Sequence, residues 1–401
     1  MGDEFAVKAT YGQVFAVAQF RALFAARLLG VLSDTVRSVA LAVLVHDRTG
    51  SPLLTAVAFT IGFLPQAAGG LFLAAMADRF APRTLIATGY GVQAAVGLLL
   101  AFGRLPVGAC LLLVAAAACL TPVTTGAAAR VLAAVLAGDA YVLGRSLSYL
   151  VAVAAQLVGM AVGGALAAGS GVERTMLLTA GAHLAAAVLS ALFLARTEVV
   201  RPRGSIVRDT VRGNAALLAA PGVARLIAVQ CLPAAFLAAG GSLIIPYAAE
   251  RGLTPAETGV LLAAISAGML IGDVVVGRAF DPRTRERLVR PLLLVMGSPL
   301  IVLAADPPHP VVVAAYVLTG TGSAYLLGLQ RRYLAAVPEA LQGQGFALLN
   351  TTTMTVQGVG PLLFGLAAEH LPLDHTLALI GATSTLTALL LKPPHPHPPP
   401  P

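Results

Sequence analysis

The chain alternates between long stretches without charged side chains and short segments that contain them. A membrane-spanning helix needs about 20 mainly apolar residues, and most of the uncharged stretches reach that length. They are continuous runs rich in Ala and Leu without apolar–polar alternation, which favours helices over strands. The pattern therefore predicts spanning helices over the uncharged windows 49–77, 84–103, 105–129, 146–172, 175–195, 226–249, 258–272, 291–305, 307–330, 340–368 and 375–391.

A twelfth span is predicted at about 15–45, an apolar segment that carries Arg27, Asp34 and Arg37. Some windows are too short to cross a bilayer alone, so their helices must extend into flanking residues: 258–272, 291–305 and 375–391. The sequence thus predicts an all-α membrane protein with twelve transmembrane helices.

Composition supports a membrane environment. Hydrophobic residues make up 58% of the chain and charged residues 11%, whereas soluble domains carry about 25% charged residues. The three cysteines lie in apolar stretches without a C-x-x-C pair, so we interpret them as small buried side chains rather than metal ligands. We predict no metal site and no cofactor.

The cations predict the orientation. With a cytoplasmic N-terminus, 20 Lys and Arg residues fall on the inside and 4 on the outside. Positive charges accumulate on the cytoplasmic side of membrane proteins. Both termini are therefore predicted in the cytoplasm of a multi-pass protein of the cytoplasmic (inner) membrane.

The longest polar gap divides the chain into two halves. We predict an N-terminal six-helix bundle at 1–196, a basic cytoplasmic linker at 197–222 and a C-terminal six-helix bundle at 223–391. The proline-rich tail, 392–401, cannot form a helix because proline removes donors and fixes φ, and we predict it to be disordered.

Matching residues in the two halves indicate an internal repeat. At an offset of 203, Gly69 corresponds to Gly272 and Asp78 to Asp281. A parallel duplication of six helices predicts two pseudo-symmetric bundles with a substrate site between them at mid-depth.

The segment GGLFLAAMADRFAPRTLI, 69–86, resembles the loop after the second helix of major facilitator superfamily transporters, G-x-L-x-D-R-x-G-R-[RK]. Asp78, Arg79 and Arg83 match that pattern, while Ala74 and Ala81 replace its glycines. The resemblance implies the major facilitator fold and a cytoplasmic gate, with loop orientation alone as the other reading. The further gate candidates are Arg130, Arg145, Asp273, Gly277 and Asp281.

The segment QLVGMAVGGALA in the fifth helix resembles the antiporter motif of the drug–proton antiporter and siderophore-exporter branch. Gly159, Gly163 and Gly164 are retained, and Met160 stands where proline is usual. The resemblance implies a bend that prevents proton leak. Close helix packing through small residues explains the same glycines equally well.

Asp34 is the best candidate for proton coupling, because an ionisable side chain inside a membrane helix is costly and usually functional. Arg37 lies one turn on and Arg27 two turns back on the same face. The alternative is a fixed structural salt bridge. For Asp273, cytoplasmic gating is favoured over substrate contact, and for His183 a packing role is favoured over a proton relay.

The remaining polar side chains of the predicted cavity are few. Each could bind a ligand or a neighbouring helix, and a cavity with so few polar groups favours a bulky amphipathic substrate. Besides Gln93, the candidates are Gln66, Tyr149, Gln156, Gln230, Tyr247, Asn350 and Gln357.

No G-x-x-x-x-G-K-[ST] phosphate-binding motif is present, so transport must be passive or driven by an ion gradient unless a partner supplies ATP hydrolysis. We therefore predict a proton-coupled exporter of a hydrophobic or amphipathic small molecule, such as a drug, antibiotic or siderophore. An uptake or facilitative carrier and a non-transporting sensor or scaffold remain the alternatives. The expected partners are substrate, protons and lipid, with no nucleic acid and a monomeric state.

Overall fold

The computed structural model describes residues 10–73, 80–195, 206–338 and 341–391, and these residues form helices and turns without a strand. Several predicted features lie outside the described residues: Asp78, Arg79, the first part of the linker at 197–205, and the tail at 392–401.

The chain divides into two compact units. The N-terminal unit comprises Met1–Leu44 and Pro65–Gly204, and the C-terminal unit comprises Val45–Leu64 and Ser205–Pro401. The segment Val45–Leu64 precedes much of the N-terminal unit in sequence but packs with the C-terminal unit. The predicted bundle boundaries remain a prediction.

The N-terminal unit contains most of the helices before residue 195. The end of α2 and all of α3 belong to the C-terminal unit. In chain order, the helices before residue 195 are α1 (Tyr11–Ala16), α2 (Ala18–Thr49), α3 (Pro52–Thr60), α4 (Phe63–Phe72), α5 (Pro82–Phe102), α6 (Val107–Ala118), α7 (Thr121–Val135), α8 (Gly138–Gly169) and α9 (Val172–Phe193).

The C-terminal unit continues with helices from residue 206 onward and two 3-10 segments, Ser298–Ala305 and Ser323–Gly328. The predicted linker contains the first of its helices. They are α10 (Ile206–Ala219), α11 (Val223–Ser242), α12 (Ile244–Glu250), α13 (Pro255–Ala279), α14 (Pro282–Gly297), α15 (His309–Gly322), α16 (Gln330–Ala336), α17 (Gln342–Ala368) and α18 (Leu373–Leu390).

The helices fit the predicted number of spans. Among the described residues, ten helices are long and apolar enough to cross a membrane, and α3 with α4 forms an eleventh across a 41° bend. A further helix, α17, has 27 residues, the length of a span, but carries several Gln and Thr side chains. The helices over the three short windows extend into their flanks, as predicted.

Helix starts follow from local sequence. Thr254 and Glu257 form a capping box at the start of α13, with Pro255 in the first turn. Asp281 caps α14 by accepting a hydrogen bond from the Arg283 backbone N–H. Such caps satisfy donors that the helix itself leaves free.

Small residues bring helix backbones together in the C-terminal unit. A Cβ built at Gly268 on α13 would lie 2.0 Å from the Val317 carbonyl oxygen, and one at Gly320 on α15 would lie 2.0 Å from the Ile265 carbonyl oxygen. Only glycine allows this reciprocal approach, which is a common device for packing membrane helices.

The segment α3 lies against α17 and α11 within the C-terminal unit. Glu369 accepts hydrogen bonds from the Ser51 hydroxyl and, at 3.0 Å, from the Leu53 backbone N–H. A carboxylate at a helix start is favourable because the first N–H groups lack intrahelical partners. This contact explains why Val45–Leu64 groups with residues far along the chain.

Candidate functional site

Asp34 and Arg37 form an ion pair near the middle of α2. The Arg37 Nη2 donates to the Asp34 Oδ1 at 2.7 Å. The Arg37 side chain is 5% exposed and the Asp34 side chain 39% exposed. The carboxylate is therefore the end of the pair that reaches open space, while the guanidinium is enclosed by protein.

Gln93 on α5 holds the other side of the guanidinium. The Arg37 Nη1 donates to the Gln93 Oε1 at 2.7 Å, and Gln93 is 7% exposed. The buried Arg37 Nε has no hydrogen-bond partner among the described residues. Arg37 thus depends on two acceptors, Asp34 on its own helix and Gln93 on a neighbouring one.

His183 on α9 completes the cluster. Its Nε2 lies 3.2 Å from the Asp34 Oδ1, and its Nδ1 lies 2.9 Å from the Thr179 carbonyl oxygen. The ring is fully buried. The sequence favoured a packing role for His183, which remains a prediction, and the structure places the buried ring beside the Asp34 carboxylate. The sequence feature that could have marked His183 as functional is its position as a lone ionisable side chain far inside an apolar helix.

A small cavity adjoins the cluster. It has a volume of about 60 Å³ and is lined by Asp34, Tyr90 and Gln93 together with threonines of α7. That volume accommodates a few water molecules beside polar groups. Asp34 is therefore placed to exchange protons with water.

A larger cavity of about 410 Å³ lies in the same unit, and Arg27 and Tyr90 line both cavities. The Arg27 Nε donates to the Ser148 carbonyl oxygen at 2.9 Å. Arg145, one turn before Ser148 on α8, lines the larger cavity as well. Apolar side chains form much of the remaining wall: Leu23, Ala26, Ile86, Ala128, Ala129 and Leu132.

The glycines of the fifth-helix motif lie in α8, where they are buried. A Cβ at Gly159 would lie 2.8 Å from the Thr35 Cβ, and one at Gly163 would lie 3.1 Å from the Val39 Cβ. Gly164 is buried beside them. Two of the motif glycines thus let α8 pack closely on α2, next to the turn that carries Asp34.

The other predicted lining residues whose side chains are described do not join the cluster. In the N-terminal unit, Gln66 is half-buried and Gln156 is exposed, and the side chain of Tyr149 lies outside the described part of the chain. In the C-terminal unit, Gln230 and Tyr247 are buried, Gln357 is half-buried and Asn350 is exposed.

Two buried lining residues of the C-terminal unit have local partners. The Arg251 guanidinium lies 5.1 Å above the Tyr247 ring. The Gln230 Nε2 donates to the Leu226 carbonyl oxygen at 3.4 Å, within its own helix. These contacts hold the two side chains within the C-terminal unit, where Arg251 also forms ion pairs with Asp306 and Asp374.

The gate candidates are distributed over both units. Arg83 and Arg130 are half-buried, and Arg145 is exposed where it lines the larger cavity. Asp273 and Asp281 are exposed, and Gly277 is half-buried with its carbonyl oxygen accepting a hydrogen bond from Arg285. Hydrogen bonds from the Thr284 hydroxyl and backbone lower the pKa of Asp281 below its usual value.

A family model described as the Major Facilitator Superfamily matches residues 23–247 and 226–401. No curated protein matches the sequence.

Solved structures resemble the chain over nearly its whole length. A POT family transporter in complex with 5-aminolevulinic acid has a TM-score of 0.72 and 11% identity, covering 93% of this chain and 95% of that one. An inward-facing, unoccupied bacterial homolog of the human lysosomal transporter Spinster has a TM-score of 0.65 and 14% identity, covering 96% and 95%. An inward-open xylose transporter from E. coli has a TM-score of 0.65 and 14% identity, covering 94% and 95%. At such identities the likeness shows the fold, and the predicted all-α membrane fold is confirmed.

Proposed function

The chain belongs to the Major Facilitator Superfamily, and on that premise we propose that it exports a hydrophobic or amphipathic small molecule in exchange for protons. Membership makes it a multi-pass membrane transporter that works by alternating access. The similar structures include a transporter of the POT family and a xylose transporter, so fold alone leaves the substrate open.

The observation that carries the proposal is the cluster around Asp34. A proton-coupled carrier needs an ionisable group that can exchange partners, and charges inside a membrane are retained mainly where they serve a function. Asp34 combines contact to Arg37 and His183 with access to a cavity. A purely structural ion pair would need neither the cavity nor the histidine.

The larger cavity supports the substrate class. Its volume of about 410 Å³ falls in the range of small-molecule sites, about 300–1,000 Å³. An apolar wall suits a hydrophobic body, while Arg27 and Arg145 suit an anionic or strongly polar end. The substrate is therefore amphipathic, with its polar end toward the two arginines.

The energy source is the proton gradient. One elementary charge crossing the membrane potential gains about 2.3 kcal/mol per 100 mV. The sequence contains no phosphate-binding motif for ATP, which supports coupling to a gradient. The transporter acts as a monomer in the cytoplasmic membrane, with both termini in the cytoplasm. Its cytoplasmic gate includes Asp78, Arg79, Arg83, Arg130, Asp273, Gly277 and Asp281.

Proteoliposomes with an imposed pH gradient test the proposal. A panel of amphipathic compounds, anionic and neutral, should include members whose addition drives proton movement. Asp34→Asn should abolish this exchange, whereas Asp47→Asn, an exposed acid on the same helix, should leave it intact.

The outcomes separate the alternatives. Substrate movement that ignores the pH gradient would indicate a facilitative carrier, and movement with the proton in the same direction would indicate uptake. Absence of both proton and substrate movement across the whole panel would instead favour a sensor or scaffold. Unchanged exchange in Asp34→Asn would remove Asp34 from the mechanism.

A further inference from the structure

Both ring nitrogens of His183 face oxygen atoms. The Nδ1 lies 2.9 Å from the Thr179 carbonyl oxygen, which can only accept, so the Nδ1 carries a proton. The Nε2 lies 3.2 Å from the Asp34 Oδ1. A neutral imidazole has only one N–H. With that proton on Nδ1, a lone pair on Nε2 would face a carboxylate, and the two would repel.

Both contacts are hydrogen bonds only when the Asp34–His183 pair holds one proton more than a carboxylate and a neutral imidazole. The Arg37 Nη2 donates to the same Oδ1 at 2.7 Å, which stabilises the ionised carboxylate. The additional proton therefore belongs on the imidazole. We propose that Asp34 and His183 together form the binding site of the coupled proton, with His183 holding the proton and Asp34 passing it to water.

The surroundings separate these two roles. Asp34 reaches the cavity of about 60 Å³, whereas the His183 ring is fully buried. In loading, a hydronium ion in the cavity gives up a proton by way of the carboxylate, and a new Nε2–H bond forms on His183. Release reverses the step: the Nε2–H bond breaks, water in the cavity takes the proton, and the charge of the pair falls by one.

Few other charged or titratable groups face the pair among the described residues. Arg37 and Arg27 come from α2, and Tyr90 comes from α5 with its ring centroid 6.4 Å from that of His183. The helix α7 contributes threonines to the cavity, and α8 contributes glycines against α2. Among these described groups, Asp34 and His183 are therefore the two that can take up the additional proton.

Proton release weakens the link between α2 and α9. A neutral His183 has one N–H for two acceptors, Thr179 and Asp34, so keeping one contact costs the other. Arg37, which is on the same helix as Asp34, then remains the carboxylate's partner. Because the proposal rests on proton coupling as the function, its test must distinguish a failed proton site from a failed transport function.

Nitrogen-15 NMR of histidine-labelled full-length protein in lipid bilayers reads the site without any substrate. One of the seven histidines should have both ring nitrogens protonated. Its signal should vanish in His183→Gln. It should become that of a neutral ring in Asp34→Asn and be restored in Asp34→Glu, while His46→Gln, on the same helix as Asp34, should leave it unchanged.

A His183 ring that stays singly protonated throughout, or one unaffected by Asp34→Asn, would overturn the proposal. Proton exchange in proteoliposomes should fall about tenfold or more in His183→Gln, because the glutamine amide cannot hold the proton and a charged hydrogen bond is lost with it. If the NMR spectrum shows the shared proton but the wild-type protein moves no protons, the proposed function is refuted and the proton-binding site stands. Normal proton exchange by a protein whose His183 ring is neutral would refute the proposed proton-binding site and leave the proposed function intact.

Discussion

Replacing Gln93 by leucine removes an acceptor from a buried guanidinium. The Gln93 Oε1 accepts a hydrogen bond from the Arg37 Nη1 at 2.7 Å, and the whole Arg37 residue is 4% exposed. A hydrogen bond to a charged group contributes about 1.5–3 kcal/mol. Asp34 already accepts from the Arg37 Nη2, and the Arg37 Nε has no partner among the described residues, so Gln93 is the acceptor on which the Nη1 depends. We expect Gln93→Leu to lower the free energy of unfolding by about 2 kcal/mol.

Gln230 offers a matched control. It is a buried glutamine, 6% exposed, but its Nε2 reaches only the Leu226 carbonyl oxygen of its own helix at 3.4 Å. A bond of that length is weak, so Gln230→Leu should cost much less. Gln93→Glu retains an oxygen opposite Arg37 and should recover most of the stability.

Thermal unfolding in detergent with a thiol-reactive dye suits this protein. It has no tryptophan, but the thiols of Cys110 and Cys231 are buried and would be exposed by unfolding. Gln93→Leu should unfold several degrees below Gln230→Leu. Equal shifts in the two variants would mean that the bond between Gln93 and Arg37 contributes nothing to stability.

Further predictions concern packing, substrate and a helix cap. Gly159→Ala should destabilise the folded protein by about 1–3 kcal/mol, because the new Cβ would lie 2.8 Å from the Thr35 Cβ. Gly181→Ala, whose Cβ would have nothing within 4 Å, should be neutral or stabilising. Equal shifts of the unfolding temperature in the two variants would contradict this. Arg145→Gln should weaken binding of anionic amphipathic compounds about tenfold and leave neutral ones unchanged, measured by fluorescence titration. Since the pKa of Asp281 is depressed, its cap stabilises the folded state above pH 3.8 and is lost as the pH falls through the folded-state pKa; Asp281→Ala should therefore lower Tm at neutral pH, and the difference should vanish in acid.

Part of the candidate site could be read from the sequence. Asp34 and Arg37 are one helical turn apart, so their contact follows from local geometry. His183 and Gln93 could not be assigned this way, because they are 149 residues from Asp34 and 56 residues from Arg37. A lone histidine or glutamine in an apolar helix carries no signal that identifies its partner.

The assignment of α3 to the C-terminal unit was likewise outside the reach of the sequence. The window 49–77 predicts one span after the first helix, but the chain bends between α3 and α4. The Glu369 carboxylate accepts a hydrogen bond from the Leu53 backbone N–H at the start of α3. That contact joins residues more than 300 positions apart.

The sequence by itself determined that the chain crosses the membrane many times, because hydrophobic length and missing charge are properties of each segment alone. It also placed an acid and a base inside the first long helix. Only the tertiary structure decided which groups surround this pair, since hydrogen bonds between helices depend on the packing that brings His183 within 3.2 Å of Asp34 and Gln93 within 2.7 Å of Arg37.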